Sequence, residues 1–528
     1  MKPNFLRILT VSMLVMLAMF TIFSLNACDK NDAAPETSAA TEACSTTPST
    51  ETETETETQT ETKSETKTDV ETQTKIESET ETETESESET EIETLAKTEP
   101  ETETQTESET ETQTETESET ETETESETAE PLPDTIALPE AYSDPDTTYE
   151  CGDGSVMYTF NKKTDADFDT VCAYYREQGF KIYSDTVKAG NFFTTFVGNG
   201  PMAHVYWLHD NGELNIVISN TASATLPPIT PDVTDGEFEC SVVQLQDNDH
   251  VNGMAYVIQL KDGSYIVYDG SYSSQFRPLQ KYLRNNHTGK GAPIIRAWIL
   301  THSHDDHYPT FKKVAEMTTP PFIVEHVIYA PMNGEVFELG EELGYFGSDK
   351  FKDGISNLGA KAVYAHVGME FTFCNLKLEV LMSPELVFRN TPIITNSNNT
   401  SVVTRLYDEN YSALFLGDIA REGTRRMDSM YGDYLQSDMC QVSHHGVENV
   451  PLSFYEIIKA PILYYPCNIK LYDQTERHYD VRTALEQRDY TKEILIAGCG
   501  EFRRAWGTVF EESAPLVIPN HPTKGPKE

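Results

Sequence analysis

Apolar positions are spread very unevenly along this chain. One continuous apolar run spans Ile8 to Leu25, a long stretch with almost no apolar side chains follows, and from residue 136 onward short apolar runs recur between polar turns. Val156–Phe160, Lys181–Asp185, Asn191–Val197, Ala203–Leu208 and Leu214–Ile218 read as strands. Phe168, Val171, Cys172 and Tyr175 fall on one helical face, and Gly179 is placed to end that helix. Together these predict a small α+β module over residues 136–228, closed by a stiff Pro-rich linker at Leu226–Pro231. His204 and His209 have no potential ligands beside them in sequence and read as core or surface residues.

A second series occupies residues 237–510. Phe238–Gln246, Gly253–Leu260 and Ser264–Gly270 read as strands, the last two joined by a turn at Lys261-Asp262-Gly263. A helix is predicted over Ser274–Asn285 and a buried strand over Ile294–Leu300. Further strands are predicted at Phe322–Tyr329, Lys361–Ala365, Glu370–Phe373, Leu376–Met382, Val402–Tyr407, Ala413–Leu416, Ile462–Pro466 and Ile494–Ala497, with helices over 334–357 and 421–435. Residues 511–528 read as a polar tail in which His521 is exposed to solvent.

Length and charge refine this picture. A chain of 528 residues exceeds a single core, so at least two units are expected. The formal charge is −49, and residues 51–130 alone carry 31 acidic side chains against four lysines. The remainder is still acidic, which argues against a large electrostatic grip on nucleic acid or on anionic wall polymers. Residues 29–135 are built from Glu-Thr and Glu-Ser dipeptides and cannot bury enough apolar surface to offset ordering entropy, so they predict a disordered acidic spacer. Fully extended, such a spacer would reach up to about 350 Å.

The start of the chain sets the expected compartment. Lys2 and Arg7 precede the apolar run, which ends in Leu25-Asn26-Ala27-Cys28. This is the layout of a secretory signal over residues 1–28, and the tetrad resembles a bacterial lipobox. The expectation is a lipidated Cys28 that anchors the protein at the extracellular face of the cell membrane; an uncleaved membrane anchor is the alternative. The spacer would then carry a monomeric catalytic head through a cell wall, with wall polymer as a partner. Nine cysteines occur without a CxxC pair; Cys151, Cys172, Cys240, Cys374, Cys440, Cys467 and Cys499 lie in or beside apolar runs and read as buried free thiols.

The strand at 294–300 runs directly into Thr301-His302-Ser303-His304-Asp305-Asp306-His307. Two histidines two apart on extended backbone project to one side, and Asp306 and His307 follow where the chain turns. Imidazole and carboxylate suit zinc, with manganese or iron as alternatives. A two-metal centre also needs a bridging carboxylate.

His302-x-His304-x-Asp306-His307 resembles the signature of the metallo-β-lactamase superfamily. The resemblance implies an α/β fold, an αββα sandwich with one or two metals at a sheet edge. By the same resemblance Asp269 supports the ligand loop from behind, and Asp418, after the apolar strand at 413–416, bridges two ions. Where relatives have two glycines after the motif this chain has Tyr308-Pro309-Thr310, so Tyr308 is expected to line the pocket. Asn398-Asn399-Thr400-Ser401 and His444-His445-Gly446 are similar to the subgroup that holds the competence protein ComEC and bacterial phosphorylcholine esterases.

That likeness gives His445 as the ligand absent at Asn399 and His444 as an acid or oxyanion donor near the substrate, although either histidine could be the ligand. It also gives His478 as a seventh ligand, with a surface histidine as the alternative. The expected sets are His302, His304 and His445 for one ion, Asp306, His307 and His478 for the other, and Asp418 between them. His326 and His366 read as structural. Asp269, Asp306 and His444 are the expected catalytic residues, working with two divalent ions and a metal-bound hydroxide. The implied activity is phosphodiester hydrolysis, with nucleic acid admitted only as a substrate. The alternatives are hydrolysis of a β-lactam or lactone ring, and a cell-wall-binding lipoprotein with a vestigial metal site.

Overall fold

The computed structural model describes residues 131–229, 238–247, 249–331, 348–389, 396–447 and 450–524. The expected signal peptide, Cys28 and almost all of the acidic spacer lie outside these residues, as do 334–347 of the expected helix over 334–357. All described residues belong to one compact unit, Glu119–Glu528. Among them no helix is long and apolar enough to cross a membrane.

The first layer is a six-stranded antiparallel sheet. Its strands are β1 (Thr147–Glu150), β2 (Val156–Phe160), β3 (Lys181–Lys188), β4 (Asn191–Val197), β5 (Met202–Leu208) and β6 (Glu213–Ser219), in the order β1-β2-β6-β5-β4-β3. One face carries the helix Asp165–Glu177, whose Phe168, Val171, Cys172 and Tyr175 pack on Phe196, Val205 and Ile216. Thr164 and Asp167 form a capping box at its start, which satisfies amide groups that the first turn leaves open. Gly179, at φ +85°, provides the left-handed turn that ends it.

Two seven-stranded sheets follow. The first comprises β7 (Ser241–Gln244), β8 (Ala255–Gln259), β9 (Tyr265–Asp269), β10 (Ile294–Ile299), β11 (Ile323–Tyr329) and β12 (Lys361–Tyr364). The second runs through β13 (Glu370–Phe373), β14 (Leu376–Met382), β15 (Val403–Tyr407), β16 (Ser412–Phe415), β17 (Met439–Gln441), β18 (Ile462–Tyr465) and β19 (Glu493–Ile496). The chain then returns as β20 (Phe502–Ala505) to pair with β7 at the edge of the first.

The two sheets face each other across a core of Tyr256, Tyr268, Ala297, Ile299, Phe371, Leu378, Phe415 and Tyr464. Tyr268 stacks on Phe415 at 3.9 Å and shares a 2.8 Å hydrogen bond with Thr404. Outside the first sheet, helices Phe276–Asn286, Pro309–Ala315 and Ser348–Leu358 cover Val267, Ile295, Trp298 and Val327. Outside the second, helices Arg421–Tyr431, Leu452–Ile458 and Thr475–Glu486 cover Leu414, Cys440, Leu463 and Ile494. This is the αββα sandwich expected from the sequence.

The N-terminal module is not a separate bead. The face of its sheet opposite the helix enters the outer core of the second sandwich sheet through Met157, Phe193, Tyr206 and Val217. Gly368 lies so close to Phe193 that a Cβ there would stand 1.7 Å from its ring. Polar groups fix the same contact. His204 Nε2 lies 2.8 Å from the carbonyl of Val367, the amide of Asn191 donates to Met430 O at 2.7 Å, and buried Lys188 lies 2.8 Å from buried Glu379.

Three details depart from the sequence reading. The tail is not free: Val517 pairs with β19, and His521 is buried against Tyr472, with its Nε2 3.3 Å from Asp473. Tyr308 does not line a pocket; it is buried in the helix-covered core beside Trp298 and Phe311, because Pro309 opens a helix there and turns the ring inward. The expected strand over 238–246 is shorter, covering Ser241–Gln244. None of the seven described cysteines forms a disulfide, and all but Cys499 are buried.

Candidate metal centre

β9 and β10 are parallel neighbours, so their C-terminal ends emerge together at one edge of the sandwich. Asp269 ends β9 in the left-handed region, at φ +51°. That turn aims its carboxylate at the next strand. Oδ1 accepts the Thr301 amide at 2.8 Å, and Oδ2 accepts the Thr301 hydroxyl at 2.7 Å and lies 2.7 Å from His307 Nδ1. The Trp298 indole donates to the Asp269 carbonyl at 2.6 Å. Asp269 therefore fixes both the backbone that starts the ligand loop and the ring of its last histidine. With Nδ1 held, His307 presents Nε2 outward.

Six side chains meet in front of this support. One ligand atom each from Asp306, His307, Asp418 and His445 lies within 4.8 Å of the others, and a second such group joins His302, His304 and Asp418. Asp418 is common to both. It follows β16, is buried, and takes its position from a hydrogen bond of its amide to Ser401 Oγ at 3.0 Å. Its Oδ2 lies 3.8 Å from His302 Nε2, 3.3 Å from His307 Nε2 and 3.4 Å from His445 Nε2. His302 Nε2 and His304 Nδ1 are 3.0 Å apart.

His445 and His444 have different surroundings. Both stand in the left-handed region, at φ 58° and 50°. His445 is buried, its Nδ1 2.9 Å from the carbonyl of Pro466, which sends Nε2 to within 3.0 Å of Asp306. His444 is part of neither ligand group; its ring lies beside that of His445, with centroids 6.0 Å apart. The expected partition also differs. His445 groups with Asp306 and His307 rather than with His302 and His304, because the Pro466 carbonyl directs its ring toward that side. His478 lies in the helix Thr475–Glu486, and its side chain is outside the described residues.

Asn399 is occupied elsewhere. Its Oδ1 accepts the amides of Ala420 and Gly423 at 3.0 and 3.2 Å, and its Nδ2 donates to Glu422 at 2.8 Å. The residue at this position therefore builds the loop that carries Asp418 instead of binding an ion.

Electrostatics and unmet valence both fit a cation. Burial works against every charge here, yet His307 and His445 keep Asp418 well below the ordinary carboxylate range. Burial likewise lowers His445, but Asp418 and Asp306 more than offset it and bring it up to about 9. Burial and the neighbouring His307 and His304 rings hold His302 well below the usual imidazole value. His307 Nε2 and His445 Nε2 converge on carboxylate oxygens of Asp418 and Asp306 at 3.0–3.4 Å, and the buried Asp418 Oδ1 has no hydrogen-bond partner. Buried polar atoms rarely stay unmatched, and this donor set, imidazole nitrogen with carboxylate oxygen, is one that zinc, manganese or iron accepts.

Residues 249–461 match the family described as the metallo-beta-lactamase superfamily. This segment is a metallo-β-lactamase superfamily domain. Among solved structures, the chain is similar to the metallo-beta-lactamase fold protein YhfI from Bacillus subtilis, at 11% identity and TM-score 0.31, over 50% of this chain and 99% of that one. It is also similar to a metallo-beta-lactamase from Cronobacter sakazakii, at 14% identity and TM-score 0.27, over 38% and 75% of the two chains. A possible metal-dependent hydrolase from Veillonella parvula is similar at 10% identity and TM-score 0.26, over 50% and 87%. No curated protein matches the chain.

Some supports of the metallo-β-lactamase centre escaped the sequence reading. Asn252 donates to Asp306 Oδ2 while its own carbonyl accepts from Tyr272 at 3.3 Å. Ser397 Oγ lies 2.8 Å from His304 Nε2. On the rim, His250 stacks on Tyr272 at 4.1 Å and is held by Asp247 at 2.9 Å. The Asn252-Gly253 step ahead of β8 was the one local sign available, since glycine at a strand entry marks a close backbone approach; Gly253 stands at φ +155° against Ser271.

Proposed function

We propose that this protein is a metal-dependent hydrolase that cleaves phosphodiester bonds. The observation that carries the reading is Asp418, which belongs to two adjacent ligand groups and so can join two ions at one opening. Paired divalent ions supply electrophilic stabilisation and an activated water, a combination suited to in-line displacement at phosphorus. The chain's own residues hold the geometry. Asp269 keeps His307 in one tautomer, Pro466 O does the same for His445, and Asn252 and Ser397 steady Asp306 and His304. His444 stands beside the ligands without being one. Burial lowers its pKa, which favours the neutral imidazole, able to donate a hydrogen bond to a phosphoryl oxygen.

The test is turnover of bis-p-nitrophenyl phosphate, nitrocefin and a simple lactone by the full chain, each with and without chelator. Phosphodiester cleavage that disappears with chelator and returns with zinc or manganese supports the reading. Turnover of nitrocefin or the lactone with none of the phosphodiester would replace it with ring hydrolysis.

We propose further that Cys28 is lipidated and that the acidic spacer holds the domain away from the membrane surface. The basic start, the apolar run and the Leu25-Asn26-Ala27-Cys28 tetrad support this. Metabolic labelling with a radioactive fatty acid should mark the wild-type chain and leave Cys28→Ala unlabelled; equal labelling of both would overturn it.

A further inference from the structure

A second cluster of metal-ligating side chains lies where the N-terminal module meets the sandwich. Cys151 lies in the hairpin turn between β1 and β2, His366 in the turn between β12 and β13, and Glu385 at the start of the helix Glu385–Phe388. All three are buried, and one ligand atom from each lies within 4.8 Å of the others. Among the described residues no other such group contains a cysteine.

His366 makes one short and one long polar contact. Its Nδ1 lies 2.8 Å from Glu385 Oε2, and Glu385 Oε1 accepts the Val367 amide at 3.0 Å. Nε2 faces the Cys151 turn, where its contact is Ser155 Oγ at 3.4 Å, a long distance for a hydrogen bond. The Ser155 hydroxyl donates to Asp153 at 2.6 Å, so toward Nε2 its oxygen can only accept. The Tyr364 ring stacks on His366 at 4.3 Å, and its buried hydroxyl has no hydrogen-bond partner.

A plain buried His–Glu pair would account for the contact between Nδ1 and Glu385. It does not account for a buried thiol brought to the same point or for the unmatched phenol. His366 Nδ1 and Glu385 Oε2, 2.8 Å apart with Cys151 beside them, stand as ligands of one ion would, and Nε2 then keeps its hydrogen toward Ser155 Oγ.

We propose that Cys151, His366 and Glu385 hold a structural zinc ion that pins the N-terminal module to the sandwich. Sulfur, nitrogen and oxygen donors together suit zinc, and tetrahedral ligands around it stand about 3–4 Å apart, close to the spacing already present. On binding, the Cys151 thiol gives its proton to solvent and the sulfur bonds to the ion. Thiolate and carboxylate then balance the two positive charges, so the buried site is neutral. The turn itself offers an entry path, since Asp153 and Gly154 at its tip are exposed. Unlike the centre at Asp418, this site contains sulfur, and that separates the two in a spectrum.

The test loads the metal-free full chain with cobalt(II). The site is expected to give a thiolate-to-cobalt charge-transfer band in the near ultraviolet, which the nitrogen and oxygen ligands of the other centre cannot produce. Cys151→Ala should lose the band and one equivalent of metal by elemental analysis while phosphodiester turnover persists; Cys172→Ala, at a buried thiol in the module's own core, should keep both. Absence of the band in the unaltered protein overturns the proposal even if the Cys151 variant does not fold, as does an unchanged band and metal content in Cys151→Ala.

Discussion

Asp269 Oδ2 lies 2.7 Å from Nδ1 of His307, and both side chains are fully buried. The pair ties the end of one central strand to the last histidine of the ligand loop. Asp269→Ala is expected to release the ring and lower metal affinity or activity on the order of 10–100-fold. A titration against a competing metal indicator measures it, and Asp269→Asn, which keeps one acceptor, should recover part of the loss.

His444 provides a different kind of variant. It lies outside both ligand groups, so His444→Ala should leave the metal content unchanged while kcat on a phosphodiester falls on the order of 100-fold. Metal counting beside steady-state kinetics separates this from a ligand, whose loss would move both quantities.

Asn399 gives a prediction in the other direction. Its side chain holds the amides of Ala420 and Gly423, so Asn399→His should disturb the loop that carries Asp418 rather than add a ligand. The expected outcome is a lower melting temperature with no gain in metal; a third ion at the centre would contradict it.

Glu379 connects the module to the sandwich and sets a pH dependence. Burial opposes its charge, but Lys188 and Arg405 outweigh burial and depress its pKa below the ordinary glutamate value. A depressed carboxylate pKa adds stability that is complete above the unfolded value, about 4.3, and is lost as pH falls through the folded value. Glu379→Gln would leave Lys188 with Glu370 alone, at 3.4 Å, and Arg405 without its carboxylate, and should cost about 3 kcal/mol, with a shallower loss of stability on acidification than the unaltered protein shows. Urea unfolding at pH 7 and at pH 4 checks both parts.

The parts of the centre that could be read in the sequence are those set by local geometry. His302, His304, Asp306 and His307 declare themselves because a strand and a tight turn fix where they point, and Asp418 does so by following an apolar strand. Ser397, Asn252 and the Pro466 carbonyl act across 93, 54 and 21 residues, and no local pattern carries such contacts. The same reasoning applies to the fold. Strands with clear alternation were legible, whereas β20 is defined by its partner β7, more than two hundred residues earlier. The packing of His521 and Val517 depends likewise on a groove that only the assembled sheet creates. The short helix Pro309–Ala315 was hidden because seven residues are too few to show a period.

The central claim, that Asp418 joins two ions, is tested most directly by counting them. Cys151→Ala serves as the background, so that the sulfur site does not contribute. Elemental analysis is expected to find two ions per chain in that variant and no more than one once Asp418→Asn is added, with phosphodiester turnover down on the order of 100-fold or more. Two ions retained and turnover unchanged in the double variant would contradict the account.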